Sequence, residues 1–181
     1  MSPLPLRRIV VVGSSGAGKT TWARRLALAR GCRHIELDEL FWGPHWTEKP
    51  RDEFRRLVAD AVEGDDWVAD GNYSAVRDLV WRRAQAVVWL DLGFGRVFVR
   101  SLQRALTRVA TREALWHGNR ESFVRTFCTR QSILWWVIIT FGRTRRKYHT
   151  LQGDAEHAHL VWFEVRGPEH AAACLGELSR R

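Results

Sequence analysis

Eight residues near the start of the chain, Gly13-Ser14-Ser15-Gly16-Ala17-Gly18-Lys19-Thr20, fit the spacing G-x-x-x-x-G-K-[ST] in full. Glycines at these positions let the main chain turn tightly, so that successive N–H groups point into one concavity suited to polyphosphate oxygens. Lys19 adds an ammonium group expected at the β- and γ-phosphates, and the Thr20 hydroxyl is placed to ligate Mg²⁺. With Thr21 on the same turn, Gly13 to Thr21 is the expected contact set for ATP or GTP. These residues do not separate the two nucleotides.

A bound magnesium ion needs a second protein anchor, commonly an acid that ends a neighbouring strand. Asp38, Asp70 and Asp91 each follow a short apolar run. Asp70 is the preferred partner of Thr20, directly or through water, because Gly71 follows it and leaves room for phosphate. Asp91 reads equally well as a helix cap. Trp42 and Trp46 sit in an aromatic loop, Phe41 to Trp46, and could stack on a flat substrate group. Five of the ten tryptophans, Trp22, Trp67, Trp81, Trp89 and Trp162, fall in predicted strands or helices and read as core. His157-x-His159 comes nearest to a metal-ligand spacing but lacks a third partner, so no zinc is expected.

The elements that must position these groups are legible in order. Arg8 to Val12 is a β-branched run without alternation, as in a parallel strand buried on both faces. Thr20 to Arg30 has helical spacing, and Gly31 is suited to stopping it. A second strand spans His34 to Leu37 and ends at Asp38. Pro50 opens a helix with Phe54, Leu57, Val58, Ala61 and Val62 inward. A third strand, Trp67 to Ala69, ends at Asp70-Gly71, and Ala75 to Arg83 is helical. A fourth strand, Ala86 to Leu90, ends at Asp91 and leads into a basic helix, Arg96 to Arg112. The last strand, His159 to Val165, precedes a helix from Pro168. This alternation predicts an α/β fold of three layers, an open parallel five-stranded sheet with helices on both faces. Residues 1–181 read as one domain, with residues 113–155 a helical insertion of lid type.

The order of elements resembles the nucleoside-monophosphate kinases of the adenylate kinase type, P-loop proteins with strand order 2-3-1-4-5. More narrowly, Leu37-Asp38-x-Leu40-Phe41-Trp42-Gly43-Pro44-x-Trp46, Trp67-Val68-x-Asp70-Gly71-Asn72-Tyr73-Ser74, Gly118-Asn119-Arg120-Glu121 and Ser132-Ile133-Leu134-Trp135-Trp136 resemble the adenylate-kinase-like proteins labelled DNA topology modulation proteins. In adenylate kinases the third strand ends in Asp-Gly-Phe-Pro-Arg. Here Asp70-Gly71 matches, Asn72-Tyr73 departs from it, and the next arginine is Arg77. The resemblance implies a small-molecule kinase whose acceptor binds near Asp38, Trp42, Asp70, Gly71, Tyr73 and Arg77. Asp38 would orient the acceptor hydroxyl or take its proton. Arg112 and Arg120 are the expected lid arginines, Arg108 a lesser candidate, and Gly118-Asn119 a hinge.

Composition bounds the alternatives. A chain of 181 residues can bury a full core without disulfides, and its three cysteines, Cys32, Cys128 and Cys174, have no paired spacing. No secretory signal is visible, and the apolar stretch Ile133 to Phe141 is far short of the roughly 20 residues that cross a bilayer. A cytoplasmic protein without membrane attachment is expected. The formal net charge of +9 favours anionic partners. Small-molecule acceptors fit best. Arg143-x-Arg145-Arg146-Lys147, with Phe141 and Tyr148, keeps a nucleic-acid-associated NTPase open as the second reading. An NTP-dependent switch is the third, and the oligomeric state is not legible.

Overall fold

The computed structural model describes residues 5–111, 115–119 and 133–180. Five strands, β1 (Arg8–Gly13), β2 (Arg33–Glu36), β3 (Trp67–Asp70), β4 (Ala86–Leu90) and β5 (Val161–Val165), form one sheet in the order β2-β3-β1-β4-β5. Every pairing is parallel. The helices are α1 (Lys19–Arg30), α2 (Leu37–Phe41), α3 (Arg51–Ala61), α4 (Arg77–Arg83), α5 (Phe94–Thr111), α6 (Ile133–Gln152) and α7 (Pro168–Arg180). The expected α/β architecture and strand order are both observed.

The run of valines in β1 has no polar alternation because both faces of the strand are covered. Ile9 and Val11 enter one core with Trp22, Leu26, Val97 and Leu178. Val10 and Val12 enter the other with Phe54, Val58, Trp81 and Trp89. Successive side chains of a strand point to opposite faces, so a strand flanked by two helical layers must be apolar throughout. Trp22, Trp67, Trp81 and Trp89 are buried as expected, whereas Trp162 on the edge strand β5 is only half-buried.

Register brings the chemistry to one edge. Glu36 lies beside Asp70, Val11 beside Asp70 and Gly13 beside Leu90. The strands therefore deliver their terminal acids and the glycine loop together at the carboxyl edge, where ligands of such sheets collect.

Several boundaries depart from the sequence reading. β2 stops at Glu36, so Asp38 stands in the first turn of α2 rather than at a strand end. A 3₁₀ turn, Ser74–Val76, precedes α4, which begins at Arg77. β5 begins at Val161, because the preceding residues form a 3₁₀ turn that lays the His157 ring 4.8 Å from the Trp81 ring. His157 is thus a packed side chain, although its ring nitrogen clusters with the carboxylates of Asp154 and Glu156.

Helix α6 ties the two cores together. Val137 near its start packs in the first core, and Tyr148, three turns on, packs in the second. Between them Arg145 grips the buried Asp91 through Nη2 at 2.9 Å and Nε at 3.0 Å. Asp91 therefore anchors a helix, the structural alternative to a metal role. An Arg145→Ala variant leaves that carboxylate without its partner. Because Arg145 is half exposed, the expected loss is about 1–3 kcal/mol rather than the larger cost of breaking a fully buried pair. Urea unfolding of the variant measures it.

Candidate active site

The phosphate loop between β1 and α1 is shaped by main-chain conformation more than by side chains. Gly16 has φ +83°, and a Cβ there would lie 1.9 Å from Ser101 Oγ and 3.0 Å from the Val97 carbonyl oxygen of α5. Both facts demand glycine, since L side chains disfavour this conformation and α5 fills the space. A Gly16→Ala variant should lose about 2–4 kcal/mol of stability from backbone strain plus overpacking. Adding Ser101→Ala removes the closest contact and should restore only part of the loss, leaving the φ penalty. Paired denaturation curves separate the two contributions.

Lys19 folds back over the loop and donates to the Ser14 carbonyl oxygen at 3.2 Å. Burial pushes its ammonium below the ordinary lysine range. Asp38 and Asp70 oppose that shift, and Arg104 adds to it. The Thr20 hydroxyl donates to Asp70 Oδ2 at 2.8 Å, and His34 Nε2 lies 2.8 Å from Asp70 Oδ1. Asp70 is 3% exposed, with one partner on each oxygen. Glu36 crowds the same edge. Burial raises its carboxyl above the usual range, and the nearby Asp70 and Asp38 raise it further, opposed by a hydrogen bond with the Trp116 side chain. Thr20 beside several crowded carboxylates is a donor set suited to a hard, oxygen-seeking divalent cation.

The loop is also fastened from β3. Asn72 donates through Nδ2 to the Gly13 carbonyl oxygen at 2.7 Å, while its Oδ1 accepts from Gly13 N–H at 3.4 Å and from the Tyr148 hydroxyl at 2.8 Å. Gly71, at φ +144°, leaves space for Leu37, whose Cβ would lie 2.8 Å from an added Cβ. That close approach brings α2 against the end of β3. The Tyr73 hydroxyl consequently donates to Asp38 Oδ1 at 2.6 Å. Burial, then Asp38, raises the Tyr73 phenol well above its ordinary range, so it remains a donor. Its ring is walled by Phe41 at 4.7 Å and Phe54 at 5.1 Å.

Trp42 and Trp46 are half-buried and meet edge to face at 5.7 Å, and Trp46 meets Trp116 at 6.3 Å. The expected hinge at Gly118-Asn119 is instead partly a fastener. Asn119 is buried, donates to the Gly43 carbonyl oxygen at 2.9 Å and accepts from Trp46 N–H at 3.0 Å. His45, Trp46 and His117 all have positive φ in these two facing segments, a conformation that non-glycine residues adopt at a cost.

The remaining expected residues divide. Arg77 lines a small recess with Gly71, Asn72, Tyr73 and Tyr148, and its guanidinium lies 5.6 Å from the Trp81 ring centroid. Arg108 is half-buried in the last turns of α5. Arg112 and Arg120 lie outside the described residues. Two arginines not singled out in the sequence reach the phosphate loop instead. Arg100 donates to the Ala17 carbonyl oxygen at 3.4 Å, and Arg104 stands close enough to depress the Lys19 ammonium. They are four residues apart on α5 and so share a face, which is the signal that could have found them.

Residues 9–128 match the family AAA_33, described as an AAA domain, over more than half of the chain. The chain belongs to that family. Among curated proteins, this AAA_33 chain is 34% identical over 99 residues to a shikimate kinase of Corynebacterium glutamicum, covering 46% of the chain and 57% of that enzyme. The chain thus spans little more than half the length of that relative. A shikimate kinase of Bacteroides thetaiotaomicron superposes with TM-score 0.56 at 17% identity, covering 97% of each chain. The shikimate complex of the Acinetobacter baumannii enzyme gives 0.56 at 20% identity, covering 96% of this chain and 90% of that one. A gluconokinase of Sinorhizobium meliloti 1021 gives 0.51 at 19% identity, covering 96% and 94%. These superpositions establish that the AAA_33 chain has the fold of P-loop kinases.

Proposed function

We propose that the protein is an ATP-binding, Mg²⁺-dependent phosphotransferase acting on a small metabolite, a nucleotide, nucleoside or similar hydroxyl compound. The observation that carries this reading is the Tyr73–Asp38 hydrogen bond of 2.6 Å on the β3 terminus that also delivers Asp70 to the phosphate loop. A simple NTPase needs only a water site. A carboxylate held by a half-buried phenol, beside an aromatic loop, is equipment for a second substrate. The shikimate kinase and gluconokinase relatives support an acceptor that offers a hydroxyl.

The roles follow from position. Gly13, Ser14, Ser15, Gly16, Ala17, Gly18, Lys19, Thr20 and Thr21 would hold the polyphosphate, and Thr20 with Asp70 would hold Mg²⁺. Bound Mg·ATP supplies the transferable phosphoryl group. Phosphoryl transfer asks chiefly for positioned positive charge and an aligned nucleophile. Lys19 and the α5 arginines Arg100 and Arg104 supply charge from the protein side, and Arg112 and Arg120 are the proposed closing arginines. Asp38 orients the acceptor hydroxyl and receives its proton. Trp42 and Gly71 wall the acceptor site. His34, bonded to Asp70, fixes the carboxylate that aligns Thr20.

We further read the chain as a cytoplasmic single unit with residues 113–155 as a lid-type insertion, within the group labelled DNA topology modulation proteins. Among the described residues no helix is long and apolar enough to cross a membrane. The nucleic-acid reading draws less support. Phe141 packs against one core and Tyr148 is buried in the other, so the aromatic residues of the stretch are not free to stack on bases, and Arg145 is engaged by Asp91. The deciding experiment incubates the protein with Mg·ATP and a broad panel of hydroxyl metabolites. Acceptor-dependent ADP release with a phosphorylated product is expected. ADP release indifferent to every acceptor would leave only an NTPase.

A further inference from the structure

We propose that Ser101 of α5 is a positioning residue for the nucleotide, its hydroxyl the donor that secures the Gly16 carbonyl behind the phosphate loop when the loop amides turn to a polyphosphate. The inference rests on the reading of Gly13 to Thr21 as a polyphosphate cradle and is independent of the acceptor.

The Ser101 hydroxyl is an expensive group for its surroundings. The residue is 0% exposed, and its Oγ has no hydrogen-bond partner among the described residues. A helical serine can spend its hydroxyl on the carbonyl four residues earlier, here that of Val97, but Ser101 makes no such bond. A buried hydroxyl without a partner costs stability, and alanine would avoid that cost with a better helix propensity. An orphaned donor of this kind calls for a reason.

Its position supplies one. Val97, Arg100, Ser101 and Arg104 stand at the spacing of neighbours on one helix face, and that face runs along the loop. A Cβ on Gly16 would meet Ser101 Oγ at 1.9 Å, Arg100 donates to the Ala17 carbonyl oxygen, and Arg104 stands near Lys19. Arg100 thus already holds one loop carbonyl from the α5 side, and Ser101 stands at the residue before it.

The loop itself shows which peptide has to move. The Ser14 carbonyl oxygen accepts both the Ala17 N–H at 3.1 Å and the Lys19 ammonium at 3.2 Å. Two donors suited to a polyphosphate are therefore spent within the loop. The Ala17 N–H belongs to the same rigid peptide as the Gly16 carbonyl, and in a trans peptide the two point in opposite directions. Aiming that N–H at an anion swings the Gly16 carbonyl to the other side, where it needs a donor. Glycine at φ +83° permits such a rotation, and the unspent Ser101 hydroxyl lies against it.

The test compares the parent with Ser101→Ala in two measurements of opposite expected sign. Without nucleotide, the variant should match the parent's Tm or exceed it by about 2–4 °C, since an orphaned hydroxyl is removed. Calorimetric titration with Mg·ADP should show Kd raised about three- to tenfold, as fits loss of one neutral hydrogen bond made only in the complex. A residue that merely packs the helix would not give that pair of results. An unchanged Kd overturns the inference whatever the Tm does, and a raised Kd with a lowered Tm overturns it by marking Ser101 as packing support. Parental Mg·ADP affinity in the variant, with a phosphorylated acceptor still formed from Mg·ATP, leaves the kinase reading standing alone. Variant-sensitive Mg·ADP binding without transfer to any acceptor upholds Ser101 and removes the kinase reading. A parent that binds no Mg·ADP removes the polyphosphate cradle and this inference with it.

Discussion

An Asp38→Asn variant is expected to lose about 10²–10⁴-fold in kcat, the range over which a positioned general base contributes. Asparagine keeps the shape of the side chain and can still accept the 2.6 Å hydrogen bond from the Tyr73 hydroxyl. What it removes is the negative charge and the capacity to take a proton. ATP affinity should change little, because the phosphates are held by main-chain amides and Lys19. The KM for the acceptor should rise less than kcat falls, since an asparagine can still hydrogen-bond a hydroxyl. Tyr73→Phe should give a smaller loss, about tenfold, by releasing Asp38 without removing it. Steady-state kinetics with the best acceptor, beside thermal unfolding of each variant, measures both effects. Should Asp38→Asn turn over at the parental rate, the acid would be only a first-turn residue of α2, favourable there for its charge near the helix start.

How much of this site the sequence disclosed depends on how far apart its pieces lie. The phosphate loop was readable because all its chemistry is contiguous and bracketed by a buried strand and a helix. Asp38 and Asp70 were readable because each sits one step beyond an apolar run, even though Asp38 proved to be helical, whereas Tyr73 entered only through the family resemblance. Leu37 turns inward against Gly71 and starts α2 earlier than the β-branched pattern indicated. Asn72 was quoted only as part of a motif. Its partners Gly13 and Tyr148 are 59 and 76 residues away, and nothing local marks an amide that will bridge a glycine loop to a distant helix. His34 is a similar case. It reads as an unremarkable strand residue until β2 and β3 pair and its ring reaches Asp70. Arg100 and Arg104 were passed over for arginines further along the chain, because a long basic helix does not announce which of its turns faces the loop. Gly118-Asn119 invited a hinge on composition, yet Asn119 spends its amide holding Gly43 and Trp46. In each case the missing term was a tertiary contact, not a local propensity.

Replacing Lys19 with alanine should lower kcat/KM for ATP by about 10²–10³-fold, the usual cost of removing one preorganised donor from developing charge. The effect should reside in nucleotide handling and not in folding. Lys19 is a desolvated ammonium that spends one bond on the Ser14 carbonyl oxygen, and burial already disfavours its charged form. Removing it leaves Asp70 with Thr20 and His34, so the carboxylate is not orphaned. Thermal stability of the unliganded variant is therefore expected to equal or exceed that of the parent, whereas loss of a packed core residue would lower it. Some affinity should survive, because the loop amides, Thr20 and the neighbouring Arg100 and Arg104 remain. Calorimetric titration with a non-hydrolysable ATP analogue and Mg²⁺ reads the difference. Parental affinity in the alanine variant would mean that the loop does not grip a polyphosphate with this ammonium. The roles given to Thr20, Asp70 and Asp38 would then lose the reference point from which each was placed.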